Sequence, residues 1–306
     1  MMGHGLLFPG QGAQFAGMGR DWVDSSAAAA DLFARADDVL NVPLSSILLE
    51  GTEDEVTSTD IAQPGIFLVS ASALAVLREE DRLEMPDVAA GLSLGEYTAL
   101  HAAGSLSFED ALRLVRRRGE LMQAASEKCA SSMTSVMGLD REACEAACEE
   151  SGGMVSVANL NAPGQVVISG EQDALDRAAE ACAVAGARRV IPLAVAGAFH
   201  SEVMREAADG LAEVLVDVDI AQPAFPVISN VTGRPVSGPD EVRANLSEQV
   251  CSPVLWEDSM RTALSSGITS FIEFPPGQVL GGLMRKIDRE VQVSAAALLD
   301  PAGGDQ

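Results

Sequence analysis

Short apolar runs alternate with longer amphipathic stretches along this chain. The run over 5–8 (GLLF) predicts a strand, and it ends in Pro9-Gly10-Gln11-Gly12, a turn chemistry that brings backbone close to a neighbour. Helical periodicity follows over 25–40 and 64–77. The run 86–90 (PDVAA) is apolar and bounded by proline and glycine, as expected of a buried parallel strand. Strong helix formers then occupy 94–103 with no breaker before Gly104, and a second helix is predicted over 107–126.

The period changes after residue 128. Strands are predicted over 133–139, 154–160, 165–170 and 188–195, with helices over 141–150 and 173–185. That order, β-α-β-β-α-β, is the split βαβ or ferredoxin-like unit. The pattern therefore predicts an α+β subdomain over 128–196 inserted into a larger α/β domain made of 1–127 and 197–306. The larger domain resumes with a helix from Glu202, a strand over 226–229, helices from Pro239 and Val254, a strand over 270–274 and a last helix after Pro276-Gly277.

Between the 86–90 strand and its helix lies GLSLG (91–95), the G-x-S-x-G spacing of a nucleophile elbow. Gly91 and Gly95 remove side chains where strand, turn and helix crowd, and the helix N-terminus aims N–H groups at a developing oxyanion. The bland alternative is that Ser93 caps the helix.

A serine nucleophile needs a base. The chain has three histidines. His101 follows Ser93 by two helical turns, ~12 Å along the axis, and is excluded. His4 precedes the first strand on the rim. His200, in GAFHSEVM, is expected at the end of the last subdomain strand and before a helix, where α/β sites are built. No acid in the sequence identifies itself as a third triad member, which counts against a simple esterase.

Composition narrows the partners. The 306 residues are 47% hydrophobic, and no apolar run approaches the ~20 residues that span a bilayer. The opening MMGHGLLFPG is too short and too lightly charged for a signal peptide, so the cytoplasm is expected. The net charge of −25 argues against nucleic acid and anionic membrane as partners, both of which need a positive footprint. The five cysteines, Cys129, Cys144, Cys148, Cys182 and Cys251, form no C-x-x-C pair and read as reduced packing residues.

Eight blocks in order carry a family resemblance: FPGQGAQFAGMG (8–19), GLSLGEYTAL (91–100), RRRGELM (116–122), NAPGQVVISG (161–170), GAFHS (197–201), VISNVTG (227–233), SEQVCSPVLW (247–256) and FPPGQVLGGLMRKI (274–287). Over nearly its whole length the chain resembles malonyl-CoA:acyl carrier protein transacylases. The resemblance implies an α/β-hydrolase-like core with a parallel sheet, interrupted by a ferredoxin-like subdomain. It implies that Ser93 accepts a malonyl group from malonyl-CoA and passes it to acyl carrier protein, with His200 as base; a monomer is expected. The base would be oriented by backbone carbonyl near Gln249 rather than by an aspartate. Backbone N–H groups of Gln11 and Leu94 would form the oxyanion hole.

By the same resemblance Arg118 grips the free carboxylate of malonate, a task suited to a planar guanidinium. Arg116 and Arg117 read as a solvated helix face. Phe199 would crowd a 2-methyl branch, and no metal or redox cofactor is implied. Leu92 departs from the family's usual histidine at that position and puts the hydrogen bonding of the elbow in question. An acidic carrier protein would need a local basic patch, for which Arg188, Arg189, Arg285, Lys286 and Arg289 are candidates. The alternatives are a trans-acting acyltransferase of a polyketide synthase, a thioesterase-like hydrolase, for which Arg118 would have no use, and a non-catalytic binding protein.

Overall fold

Residues 3–298 are described by the computed structural model. Its nine strands are β1 (Gly3–Phe8), β2 (Val88–Gly91), β3 (Ser131–Met137), β4 (Val155–Ala162), β5 (Gln165–Glu171), β6 (Arg189–Pro192), β7 (Val227–Ile228), β8 (Ile268–Glu273) and β9 (Gln292–Ala295). They form two sheets. One has the order β7-β2-β1-β8-β9 with every pair parallel. The other, β4-β5-β3-β6, is antiparallel throughout.

β1 is the centre of the parallel sheet, and its side chains alternate between two cores as strand geometry requires. Leu6 and Phe8 join the larger core beneath helices Thr59–Glu79 and Phe108–Ser126. Leu7 points to the other face, with Trp256 of helix Trp256–Ser265 and Met284 of helix Leu280–Ile287. Coverage on both faces explains why β2 reads as an unbroken apolar run, all four residues being buried.

Helix Thr59–Glu79 begins five residues before the periodicity predicts, and Pro64 lies inside it. Proline removes the N–H that would reach the carbonyl of Asp60. Arg116 supplies the missing donor: its Nη1 bonds Asp60 O at 2.7 Å and lies 3.0 Å from the Asp60 carboxylate. Arg116 is therefore a helix-to-helix brace rather than the solvated residue expected, whereas Arg117 is 49% exposed. The same helix corrects a second expectation, because its 21 residues are long and apolar enough to span a bilayer by length and composition alone. It is instead a core helix, with 83% of its most apolar window buried.

The antiparallel sheet carries helices Arg141–Ser151 and Gln172–Val184 over a separate small core that includes Val136, Ile168, Cys144 and Cys182. All five cysteines are unpaired. β4 bulges near Asn159, and there the sheet is stitched to the larger body: Val254 N–H donates to Ala158 O at 2.8 Å and Leu160 N–H to Val254 O at 2.9 Å. β6 ends at Pro192, so His200 lies in the loop beyond it and not at the strand end, with one 3₁₀ turn (Glu202–Met204) before helix Arg205–Leu215. The short helices Leu44–Glu50 and Glu53–Thr57 and the edge strand β9 lie outside the predicted pattern.

Candidate active site

Three residues separate the end of β2 from helix Gly95–Ala102, and the chain reverses within them. Ser93 is held at φ 52°, a conformation costly for a residue with a side chain. Both glycines are required by contact. A Cβ on Gly91 would fall 1.9 Å from the carbonyl carbon of Gly95, and one on Gly95 would fall 2.1 Å from Phe8 O.

The strain is held by Asn230, which is fully buried just beyond β7. Its Oδ1 accepts from Ser93 N–H at 2.6 Å, and its Nδ2 donates to Gly91 O at 2.8 Å. Ser93 does not cap the helix, whose first turn has no side-chain cap. The elbow is held by backbone and Asn230 bonds, Leu92 contributing N–H to Phe8 O, so the Leu92 side chain takes no polar part.

Ser93 Oγ instead meets His200 Nε2 at 2.8 Å. The other ring nitrogen, Nδ1, is 2.8 Å from the carbonyl oxygen of Gln249. A carbonyl only accepts, so Nδ1 carries the proton and Nε2 is left as the acceptor for the serine hydroxyl. Burial, reinforced by the positive charge of Arg118, pushes the imidazole down to about 4. His200 is therefore a neutral base at physiological pH, oriented by backbone and not by a carboxylate.

Arg118 reaches in from helix Phe108–Ser126 and is 2% exposed. Its Nη1 donates to Gln63 Oε1 at 2.7 Å, and its Nη2 to Gln249 Oε1 at 2.9 Å and to Ser93 Oγ at 3.0 Å. The guanidinium also lies over the Tyr97 ring, 5.5 Å from its centroid. None of these partners is a carboxylate. Burial lowers the arginine's pKa, although a guanidinium stays charged in proteins. A full positive charge is thus presented next to the serine with no anion touching it.

Gln11 belongs to the turn after β1, which presses on the elbow closely enough that a Cβ on Gly10 would lie 2.4 Å from Leu92 O. The backbone N–H groups of Gln11 and Leu94 donate to no protein acceptor among the described residues. Phe199 is buried and, with Met122, Met133 and Val167, lines a cleft of about 210 Å³ that runs from Ser93 between the two sheets.

Three residues that the sequence does not single out complete the site. Glu96, 1% exposed, accepts from Gln249 Nε2 at 2.7 Å and from Asn230 N–H at 3.0 Å. Gln63 and Asn230 supply the bonds already described. Glu96 and Asn230 lie within conspicuous motifs and Gln63 within none, but an amide carries no charge to draw the eye, and Glu96 reads as an ordinary first-turn acid.

His101 is packed against Phe67 and Phe108, remote from this cluster, and His4 lies within β1 rather than before it as expected, partly buried with its ring near Glu84 O, because the strand pairs with β8 from Gly3 onward. The cations Arg188, Arg189, Arg285, Lys286 and Arg289 are exposed, and among the described residues none pairs with a carboxylate. Lys286 Nζ instead reaches Gln165 Oε1 at 2.6 Å, joining helix Leu280–Ile287 to β5.

The sequence matches the acyl transferase domain family over residues 6–300. It is 44% identical over 295 residues to a malonyl CoA-acyl carrier protein transacylase of Bacillus subtilis, covering 95% of this chain and 92% of that one. It is 42% identical over 310 residues to a polyketide biosynthesis protein of Burkholderia thailandensis, covering 98% of this chain and 26% of that much longer one. Among solved structures, a malonyl-transacylase in complex with a type II polyketide synthase acyl-carrier protein superposes with a TM-score of 0.93 at 38% identity, covering 96% of this chain and 95% of that one.

Proposed function

The chain belongs to the acyl transferase domain family, and on that premise we propose that it transfers a malonyl group from malonyl-CoA to the phosphopantetheine thiol of an acyl carrier protein. One observation carries the choice of acyl group: the buried, carboxylate-free guanidinium of Arg118 lies 3.0 Å from Ser93 Oγ. A hydrolase of neutral esters has no use for that charge, whereas a malonyl group brings a carboxylate to meet it.

In this mechanism His200 Nε2 takes the Ser93 proton as Oγ attacks the thioester carbonyl. The Gln11 and Leu94 amides receive the tetrahedral oxyanion. The intermediate collapses to a malonyl-serine ester, and CoA leaves with the proton from His200. The carrier thiol then gives its proton to His200 and attacks the ester, and the same steps run in reverse. All these groups come from one chain, so a monomer suffices, and no step calls for a metal or redox cofactor. Phe199 narrows the cleft against a branched acyl group.

The cations Arg188, Arg189, Arg285, Lys286 and Arg289, none of them paired with a carboxylate among the described residues, are the surface we assign to an acidic carrier protein, within a chain whose net charge is −25. A cytoplasmic enzyme of fatty acid synthesis fits this reading. The relative from Burkholderia thailandensis supports a second version, the same reaction serving a polyketide synthase.

The test is intact-protein mass after mixing with malonyl-CoA, methylmalonyl-CoA and acetyl-CoA together. A malonyl adduct on the parent, absent from Ser93→Ala, is expected. Absence of an adduct with no CoA released would overturn the proposal.

A further inference from the structure

Glu96 has no part in the mechanism above, yet it is the one carboxylate buried in the site's hydrogen-bond network. Its connection to Arg118 runs through a single neutral group. Gln249 turns its Oε1 to the guanidinium at 2.9 Å and its Nε2 to the carboxylate at 2.7 Å. The amide dipole is thereby aligned between the two opposite charges. Both groups are removed from water, at 2% and 1% exposure, so their Coulomb interaction is only weakly screened. Above a pH of about 7, where Glu96 is ionised, these side chains are together electrically neutral: one cation, one anion and an amide bridge.

A malonyl carboxylate at Arg118 breaks that balance. Two carboxylates would then share one guanidinium in a dry cluster, and like charges at a shared site force one group to take a proton. The malonyl carboxylate has the direct contact with Arg118, whereas Glu96 is one amide away. We propose that Glu96 is the buried counter-charge of Arg118, coupled to it through Gln249, and that the arrival of the malonyl carboxylate is accompanied by uptake of a proton from solvent at Glu96. The proton returns to solvent when the malonyl group leaves.

This inference rests on the malonyl reading of Arg118. Its chemistry fits the local groups. Asn230 N–H and Gln249 Nε2 both donate to Glu96 Oε2, and the Ser229 hydroxyl is a further hydrogen-bond partner of the carboxylate; neither of the first two contacts engages Oε1, where a proton can be carried. The charged and titratable neighbours are Arg118 on helix Phe108–Ser126, Tyr97 on the same helix as Glu96, and His200 across Gln249. Ser229, Asn230 and Gln249 complete the surroundings as neutral groups. Burial already raises the Glu96 carboxyl to about 7, and Arg118 is among the influences that hold it down. Cancelling that influence with a substrate anion moves it further up.

The experiment is calorimetric titration of Ser93→Ala, which binds without turning over, with malonyl-CoA in buffers of different ionisation enthalpy. The expected result at pH 8 is uptake of about one proton per site, declining as the pH falls through about 7 because free Glu96 is then already protonated. Acetyl-CoA, lacking the carboxylate, is expected to take up none. Added to Ser93→Ala, the change Glu96→Gln is expected to abolish uptake while malonyl-CoA still binds, an outcome that a purely structural role for Glu96 would not produce.

Binding that depends on Arg118 without proton uptake at pH 8 would overturn the inference and leave the malonyl reading standing. So would uptake that persists in Glu96→Gln. Should Glu96→Gln fail to fold, the malonyl–acetyl contrast and the pH at which uptake declines still decide, since a decline centred near 4 would assign the proton to His200. Malonyl-CoA binding indifferent to Arg118→Ala would overturn the malonyl reading and this inference with it.

Discussion

Replacing Arg118 with alanine separates the recognition of the acyl group from its transfer. In the parent the guanidinium is 2% exposed and donates to Gln63, Gln249 and Ser93. Truncation leaves the malonyl carboxylate desolvated without a counter-charge, a loss of about 2 to 5 kcal/mol, or roughly 30- to 4,000-fold in kcat/KM. Acetyl transfer loses only the bond to Ser93 Oγ, worth about 0.5 to 1.5 kcal/mol, or roughly 2- to 12-fold.

The malonyl-over-acetyl preference is therefore expected to fall by roughly 2- to 2,000-fold, toward parity. Arg118→Met keeps most of the side-chain volume and none of the charge, so it should match alanine on malonyl-CoA if charge is the cause. The assay is the rate of acyl-enzyme formation with both thioesters in competition, read by mass. Equal losses for the two acyl groups, or recovery of malonyl transfer in the methionine variant, would refute the reasoning.

Because the His200 imidazole is held near 4, it remains neutral and able to accept a proton as pH falls through 6.5; measured on acetyl transfer, the acid limb assigned to it should fall near 4, and a limb near 6.5 would contradict the burial argument. Arg116→Ala leaves Asp60 O without its donor and should cost about 1 to 3 kcal/mol by denaturant melts, whereas Arg117→Ala should stay within about 0.5 kcal/mol. Asn230→Ala removes the two side-chain bonds that Asn230 makes to the Ser93 turn, so kcat should fall at least about tenfold while malonyl-CoA binding to Arg118 persists; an unchanged kcat would show that the backbone bonds and the Gln249 amide on Ser93 O suffice to hold the elbow.

The parallel core and the antiparallel insertion were legible because their hydrophobic periods differ, and Ser93 and His200 because the G-x-S-x-G spacing marks one serine and only three histidines compete to serve it. Gln63 was not legible. The periodicity starts its helix at Pro64, since a proline ordinarily opens a helix, and only the distant Arg116 makes an earlier start tolerable. Asn230 falls within a motif of the sequence, but its task depends on β7 pairing beside β2, which the apolar pattern does not specify. Glu96 shows the same limit, for its burial is created by Gln249 and Asn230 arriving from the far end of the chain. The failed placement of His200 at a strand end has a similar cause: β6 stops where its pairing with β3 runs out, and the loop is then held by Gln249 and Val250.

That loop gives the stitch at Val254 a wider meaning. Gln249 orients the imidazole, Val250 accepts from the His200 backbone at 3.2 Å, and four residues later Val254 is a rung of the ladder that fastens β4. One short segment thus belongs at once to the seam that joins β4 to the larger body and to the mounting of the base. Opening the cleft for a bulky carrier arm would pull on the same strap that aims His200 at the serine. Cleft wall and catalytic base thus share one anchorage, six residues long from Gln249 to Val254.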